Sequence, residues 1–258
     1  GSNHDGHQYV EEAYNQGIRL FVVEKEVVGL DGASVLKVAS SIKALQQIAS
    51  YHRSLFDYPV LGITGSTGKT IVKEWLATML SQSYQVVKSP KSYNSQVGVP
   101  LSVWQMSEND NLGIFESGIS KTGEMANLET IIKPTIGIFT NIGEAHNEGF
   151  DSKIEKAEEK ALLFKDCKKV IYSKSDIVIE NALFKNLGDK GKLIGWTAEK
   201  LEQNILRISF GEHVINLRLK FKEPYFIENA IHCAVAMKEL GLDENVIQSG
   251  LNNLPAVK

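Results

Sequence analysis

Short apolar runs alternate along most of the chain with longer segments whose apolar positions recur every three or four residues. The runs at 60–64, 85–87, 112–115, 135–140, 169–172 and 192–196 read as strands. Residues 71–80 place Val72, Trp75, Leu76 and Met79 on one helical stripe, and further helices are expected at 101–106, 225–240 and 245–251. Strands separated by helical crossovers predict a mainly parallel sheet with helices on both faces. Residues 204–210 and 213–221, parted by Gly211-Glu212, predict a small β-hairpin after the last parallel strand.

The first 57 residues carry a separate and smaller pattern. It comprises a helix at 9–15, strands at 18–23 and 35–39, and a helix at 41–56 with Ile42, Leu45, Ile48 and Leu55 along one stripe. Asp57-Tyr58-Pro59 marks the expected boundary. The predicted fold class is α/β: a partial N-terminal α/β domain over 1–57, then a larger parallel-sheet domain with flanking helices over 58–258.

Composition changes this picture little. A hydrophobic content of 43% and a charged content of 23% over 258 residues describe an ordinary soluble globular chain. The net charge of −3, with scattered lysines, leaves no electrostatic footprint for nucleic acid. No apolar run is long enough to span a membrane and no signal peptide is visible, so a cytoplasmic protein is the default expectation. Cys167 and Cys233 lack metal-ligand spacing and are expected as free thiols.

One segment concentrates chemistry: Val60-Leu61-Gly62-Ile63-Thr64-Gly65-Ser66-Thr67-Gly68-Lys69-Thr70. Its glycines let backbone N–H groups turn inward on an anion, and the following helix N-terminus adds its positive dipole end. Lys69 can reach the outer phosphates of a nucleotide, and the Thr70 hydroxyl can ligate the Mg²⁺ that accompanies them. The strict phosphate-loop pattern fails at Ile63, where its first glycine belongs, leaving Gly65-x-x-Gly68-Lys69-Thr70.

Ligands gather at the carboxyl ends of parallel strands, so the residues just past each strand are the candidates for chemistry. Glu116 ends the run 112–115 on the same edge as Lys69 and Thr70, where a carboxylate suits a hard cation. His146 returns to that edge in the loop after Thr140-Asn141. Asn94 opens a polar loop before the helix at 101–106. The lysine-rich run 153–169 reads, by itself, as a solvated helix face with Ala157, Ala161, Leu162 and Phe164 on its apolar side.

Taken in order, several segments resemble the central domain of the Mur ligases, the ATP-dependent amide-forming enzymes of peptidoglycan synthesis. They are Thr64-Gly65-Ser66-Thr67-Gly68-Lys69-Thr70, Lys73-Glu74, the stretch 94–100, Glu116-Ser117-Gly118 with Gly123-Glu124-Met125, and Thr140-Asn141-Ile142-Gly143-Glu144-Ala145-His146 with Glu148-Gly149-Phe150. The family's shortened phosphate loop accounts for Ile63. The match is closest to the branch that joins D-alanyl-D-alanine to UDP-N-acetylmuramoyl-tripeptide through an acyl phosphate. Some relatives with the Glu-Ser-Gly variant carry an alanine racemase fused further downstream.

The resemblance implies ATP and Mg²⁺ as cofactors and assigns roles. Gly65, Ser66, Thr67 and Gly68 would cradle phosphates, with Lys69 on the β- and γ-groups. Thr70 and Glu116 would bind one Mg²⁺ and His146 a second. Lys160 falls where these ligases carry a carbamylated lysine facing the metal, although Ala161-Leu162 comes after it in place of Gly-Glu. Asn94 would contact the reacting phosphate or acceptor. Asn229 would read adenine, with His232 standing where a second asparagine is common. The resemblance further implies that 1–57 ends a UDP-substrate-binding domain and that 58–258 is the central ATP-binding domain. A C-terminal ligase domain would then lie beyond Lys258, so the chain alone would bind ATP weakly and ligate nothing. A monomer is expected. Another Mur-type or folylpolyglutamate synthase-like ligase is the nearest alternative. From another class, a small-molecule kinase or a silent nucleotide-binding module would use the same loop.

Overall fold

The computed structural model describes residues 5–143, 149–188 and 192–254. The chain divides into two compact units, one up to Ile48 and one from Ala49 onward. The division falls inside a helix and not at Asp57-Tyr58-Pro59.

In the first unit a 3₁₀ turn over Gly6–Tyr9 leads into α1 (Val10–Asn15), followed by the parallel pair β1 (Leu20–Val23) and β2 (Ser34–Lys37) and by the start of α2 (Ser41–Arg53). Asp5 accepts the His7 N–H at 3.1 Å and holds the turn. Phe21 and Val23, on the inward face of β1, join Val10 in a small core. The Glu24 carboxylate accepts the Ser41 N–H at 2.7 Å, a cap at the first turn of α2.

The second unit alternates strand and helix through β3 (Val60–Thr64), α3 (Lys69–Leu80), β4 (Val86–Lys88), α4 (Gly98–Val103), β5 (Leu112–Glu116), α5 (Met125–Ile132), β6 (Ile136–Phe139), α6 (Lys153–Ala161), β7 (Lys169–Ser173), α7 (Ile177–Leu187) and β8 (Leu193–Glu202). It ends with β9 (Ile205–Phe210), β10 (His213–Arg218), α8 (Pro224–Glu239) and α9 (Glu244–Asn253). Among the described residues the strands form one eight-stranded sheet in the order β10-β9-β8-β7-β6-β3-β5-β4. Pairing is parallel from β4 to β8 and antiparallel from β8 to β10.

Alternating strand residues feed two cores, as the period of two requires. Leu61, Ile63, Leu112, Ile114, Ile136, Ile138 and Ile171 pack with α3, α8 and α9 on one face. Val60, Phe115, Phe139, Val170 and Tyr172 pack with α4, α5, α6 and α7 on the other. β3 therefore lies in the middle, buried on both faces, with its carboxyl end flanked by those of β5 and β6. A ligand site is expected there.

The structure departs from the sequence reading in three places. Helices α5 and α7 were not named by the periodicity. β8 runs on past Trp196 to Glu202, so the hairpin becomes a three-stranded antiparallel extension of the main sheet. The lysine-rich α6 is not a solvated face, because Lys156, Glu159 and Lys160 are all buried on it.

Candidate active site

β3 ends at Thr64, and the next four residues turn back before α3 begins at Lys69. Two glycines make the turn possible. Gly65 has a φ of 148°, and a Cβ there would lie 2.0 Å from the Thr140 hydroxyl oxygen. Gly68 has a φ of 82°, and a Cβ there would lie 2.5 Å from the Asn229 side-chain oxygen. Gly68, the N-cap residue of α3, has no side chain to cap the helix N-terminus. The first N–H groups and the dipole of the helix therefore remain for an anion.

The loop is pinned from the neighbouring strand. The Ser66 N–H donates to the Asn141 carbonyl at 2.9 Å, and the Thr67 N–H to the Asn141 side-chain oxygen at 3.0 Å. The Thr140 hydroxyl donates to the Thr67 carbonyl at 2.6 Å, and the Gly143 N–H to the Ser66 hydroxyl at 2.9 Å. Thr140 and Asn141 are thus structural supports of the loop. Their place directly after an apolar strand was the signal, though sequence reasoning assigned them no role.

Two ammonium groups converge on one loop carbonyl. Lys69 Nζ donates to the Gly65 carbonyl at 2.9 Å and to that of Ser66 at 3.4 Å. Lys160 Nζ donates to the same Gly65 carbonyl at 3.2 Å, across 95 residues. Burial pushes the Lys69 pKa down, opposed by the Glu116 charge and reinforced by Lys156. Burial, Lys69 and Lys156 together bring Lys160 down to about 7.

On the other side of the loop the Thr70 hydroxyl donates to Glu116 Oε2 at 2.8 Å. Ser92 Oγ lies 3.3 Å from the same hydroxyl, and the Asn94 amide donates to Glu116 Oε1 at 3.4 Å. A fully buried Lys73 donates to the carbonyls of Ser89 and Lys91, which fixes the loop bearing Ser92 and Asn94. Among the described residues no cluster of three or more His, Cys, Asp or Glu could hold a metal. Thr70 and Glu116 are adjacent hard oxygen donors, the kind of pair that holds Mg²⁺ together with phosphate oxygens and water.

The expected residues Gly65, Ser66, Thr67, Gly68, Lys69, Thr70, Asn94, Glu116, Lys160 and Asn229 thus meet at one sheet edge. His146 lies outside the described residues. His232 needs correction as a nucleotide contact. It is fully buried, with Trp196 Nε1–H donating to its Nδ1 at 3.2 Å. Its proton therefore sits on Nε2, which donates to the Thr140 carbonyl at 3.0 Å. Both nitrogens are taken, and the ring props up the strand end behind the loop.

Residues 63–237 match the family model of the Mur ligase middle domain. The chain belongs to the Mur ligase family. Among its relatives, the UDP-N-acetylmuramoyl-tripeptide–D-alanyl-D-alanine ligase of Rickettsia prowazekii is 31% identical over 99% of this chain and 61% of its own length. The enzyme of the same name from Synechocystis is 32% identical over 97% of this chain and 56% of its own. The chain thus spans about three fifths of the length of these curated relatives. MurF from Acinetobacter baumannii shares the fold with a TM-score of 0.88 at 22% identity, covering 100% of this chain and 59% of that one. MurF from Thermotoga maritima, solved in complex with ADP, shares it with a TM-score of 0.82 at 24% identity, covering 100% and 62%. No helix among the described residues of this Mur ligase chain is long and apolar enough to cross a membrane.

Proposed function

We propose that the chain is the ATP-binding part of a ligase that extends UDP-N-acetylmuramoyl-tripeptide with D-alanyl-D-alanine, the activity named in its relatives. The observation that carries this reading is the convergence of Lys69 and Lys160 on the Gly65 carbonyl, facing the Thr70–Glu116 pair. That arrangement suits the outer phosphates of ATP. Lys69 and the uncapped start of α3 supply positive charge where negative charge collects. Mg²⁺ held by Thr70 and Glu116 would neutralise the phosphates further.

In the reaction a substrate carboxylate oxygen bonds to the γ-phosphorus as the bond to ADP breaks, giving an acyl phosphate. The dipeptide amine then attacks the acyl carbon, loses a proton, and phosphate departs. Asn94, beside Glu116, would orient the group being transferred. Asn229, with its amide against Gly68, would meet the nucleoside side of the same ligand. With a pKa near 7, Lys160 keeps a neutral fraction at physiological pH, the form that takes up CO₂ to give a carbamate. A carbamate there, with His146, would complete a second metal site. Such a ligase would work in the cytoplasm, where ATP is made.

The test is to supply the whole protein with ATP, the tripeptide substrate and D-alanyl-D-alanine. Release of ADP and phosphate that requires both acceptors, with a new amide product, is expected. A phosphorylated small molecule without an amide product would refute the ligase reading in favour of a kinase.

A further inference from the structure

Two lysines of the site have hydrogen-bond partners, and a third has none among the described residues. Lys69 and Lys160 share the Gly65 carbonyl, whereas Lys156 Nζ is buried with no hydrogen-bond partner among the described residues. Lys156 lies one turn before Lys160 on α6, so the two side chains leave the same face. Lys160 in turn shares the Gly65 carbonyl with Lys69, and the charge of Lys156 disfavours protonation of both.

The acidic residues of α6 are committed elsewhere. Glu155 bonds the Thr122 hydroxyl and the Asp151 N–H. Glu158 pairs with Lys185 at 2.7 Å. Glu159 accepts the N–H groups of Gly123 and Met125, both at 2.9 Å, at the start of α5. Glu116 acts on Lys69 from the far side of the loop. A buried ammonium without a counter-charge is unfavourable, and an apolar residue in its place would avoid that cost. The arrangement makes sense when a ligand brings the anion.

We propose that Lys156 binds the terminal phosphoryl group of a nucleoside triphosphate and lets this loop favour triphosphate over diphosphate. The lysine of a phosphate loop reaches the outer phosphates, so Lys69 at the Gly65–Ser66 end marks the γ-side. With Lys160 in its unmodified form, as in this structure, Lys160 shares that end and Lys156 extends the cluster by one helical turn. The inference rests on the reading of the loop as a nucleotide grip.

Calorimetric titration of the chain with Mg²⁺ and either ADP or the β,γ-imido analogue of ATP tests it, using wild type, Lys156→Met and Lys156→Arg. Lys156→Met should weaken the triphosphate analogue by about tenfold or more and leave ADP within about twofold. Its ligand-free Tm should be unchanged or higher, because an uncompensated buried charge is gone. Lys156→Arg, which keeps the charge, should retain the preference for triphosphate. Equal losses for both ligands, no loss for either, a lowered Tm in Lys156→Met, or loss of the preference in Lys156→Arg would each overturn the proposal. A wild-type chain that binds neither ligand would instead overturn the nucleotide reading of the loop, and this proposal with it.

Discussion

Thr70 and Glu116 are 46 residues apart in the chain, yet the hydroxyl of one donates to the carboxylate of the other at 2.8 Å. The sheet register brings this about, since Glu116 pairs with Ile63, one residue before the loop strand ends. If the pair holds Mg²⁺ with the phosphates, Glu116→Gln keeps the hydrogen bond but loses the anionic ligand. The Mg²⁺-dependent gain in ATP affinity should then fall by about tenfold, while binding measured in EDTA stays near that of wild type. An undiminished Mg²⁺ effect in Glu116→Gln would remove this carboxylate from the metal site.

Lys69 opens α3 and donates to two loop carbonyls. If Lys69 meets the outer phosphates as proposed, Lys69→Ala removes a charge-assisted contact, and ATP affinity should fall by about 10- to 100-fold with most turnover of the whole protein lost. Fold stability should change little, because Lys160 still holds the Gly65 carbonyl. Turnover at the wild-type rate would sink the role assigned to Lys69.

The alternation of strands and helices was legible because the inner strands of the parallel sheet, β3, β5, β6 and β7, are buried on both faces and read as apolar runs. The edge where the site forms was legible for the same reason, since Glu116 and Lys69 each come after such a run. What periodicity does not reveal is which polar residues a neighbouring element covers. Lys156, Glu159 and Lys160 look like a solvated face, yet they are buried, and Glu159 serves as the acceptor for the start of α5. Beyond Trp196 the residues of β8 are mostly exposed, so no apolar run marked the strand's continuation. His232 matched a motif position, but only packing shows that Trp196 and the Thr140 carbonyl occupy both its nitrogens.

Gly68 combines a left-handed backbone with close approach to Asn229. Gly68→Ala should strain the loop by about 1–2 kcal/mol and push Asn229 aside. Nucleotide affinity should drop more than stability does, since the loop lies at the edge of the sheet and not in either core. Calorimetry and thermal melts on the same variant compare the two. A stability loss with unaltered nucleotide binding would argue that Gly68 serves folding alone.

Lys73 is fully buried and donates to the Ser89 and Lys91 carbonyls, with Glu74 Oε1 3.2 Å away. Lys91 itself has a φ of 48°, unusual for a non-glycine residue, so this segment depends on its supports. Lys73→Met preserves the packing volume but leaves two carbonyls unpaired. Urea denaturation should show a loss of about 1–3 kcal/mol. An unchanged midpoint would mean that the segment bearing Ser92 and Asn94 is held by other contacts.

Burial lowers the His232 pKa to about 4, against a weaker opposing effect of its bond to the Thr140 carbonyl. The unfolded chain takes up this proton near pH 6.5, whereas the folded chain resists until about pH 4. The stability linked to the neutral ring is therefore fully present above pH 6.5 and is lost progressively as the pH falls towards 4, about 3 kcal/mol in all. Between pH 7.5 and pH 5 wild type should lose about 2 kcal/mol more than His232→Gln, which has no ring to protonate. Urea midpoints at the two pH values measure the difference. Equal losses in the two proteins would show that the ring titrates normally and that neither burial nor the bond from Trp196, which needs an unprotonated Nδ1, keeps it neutral.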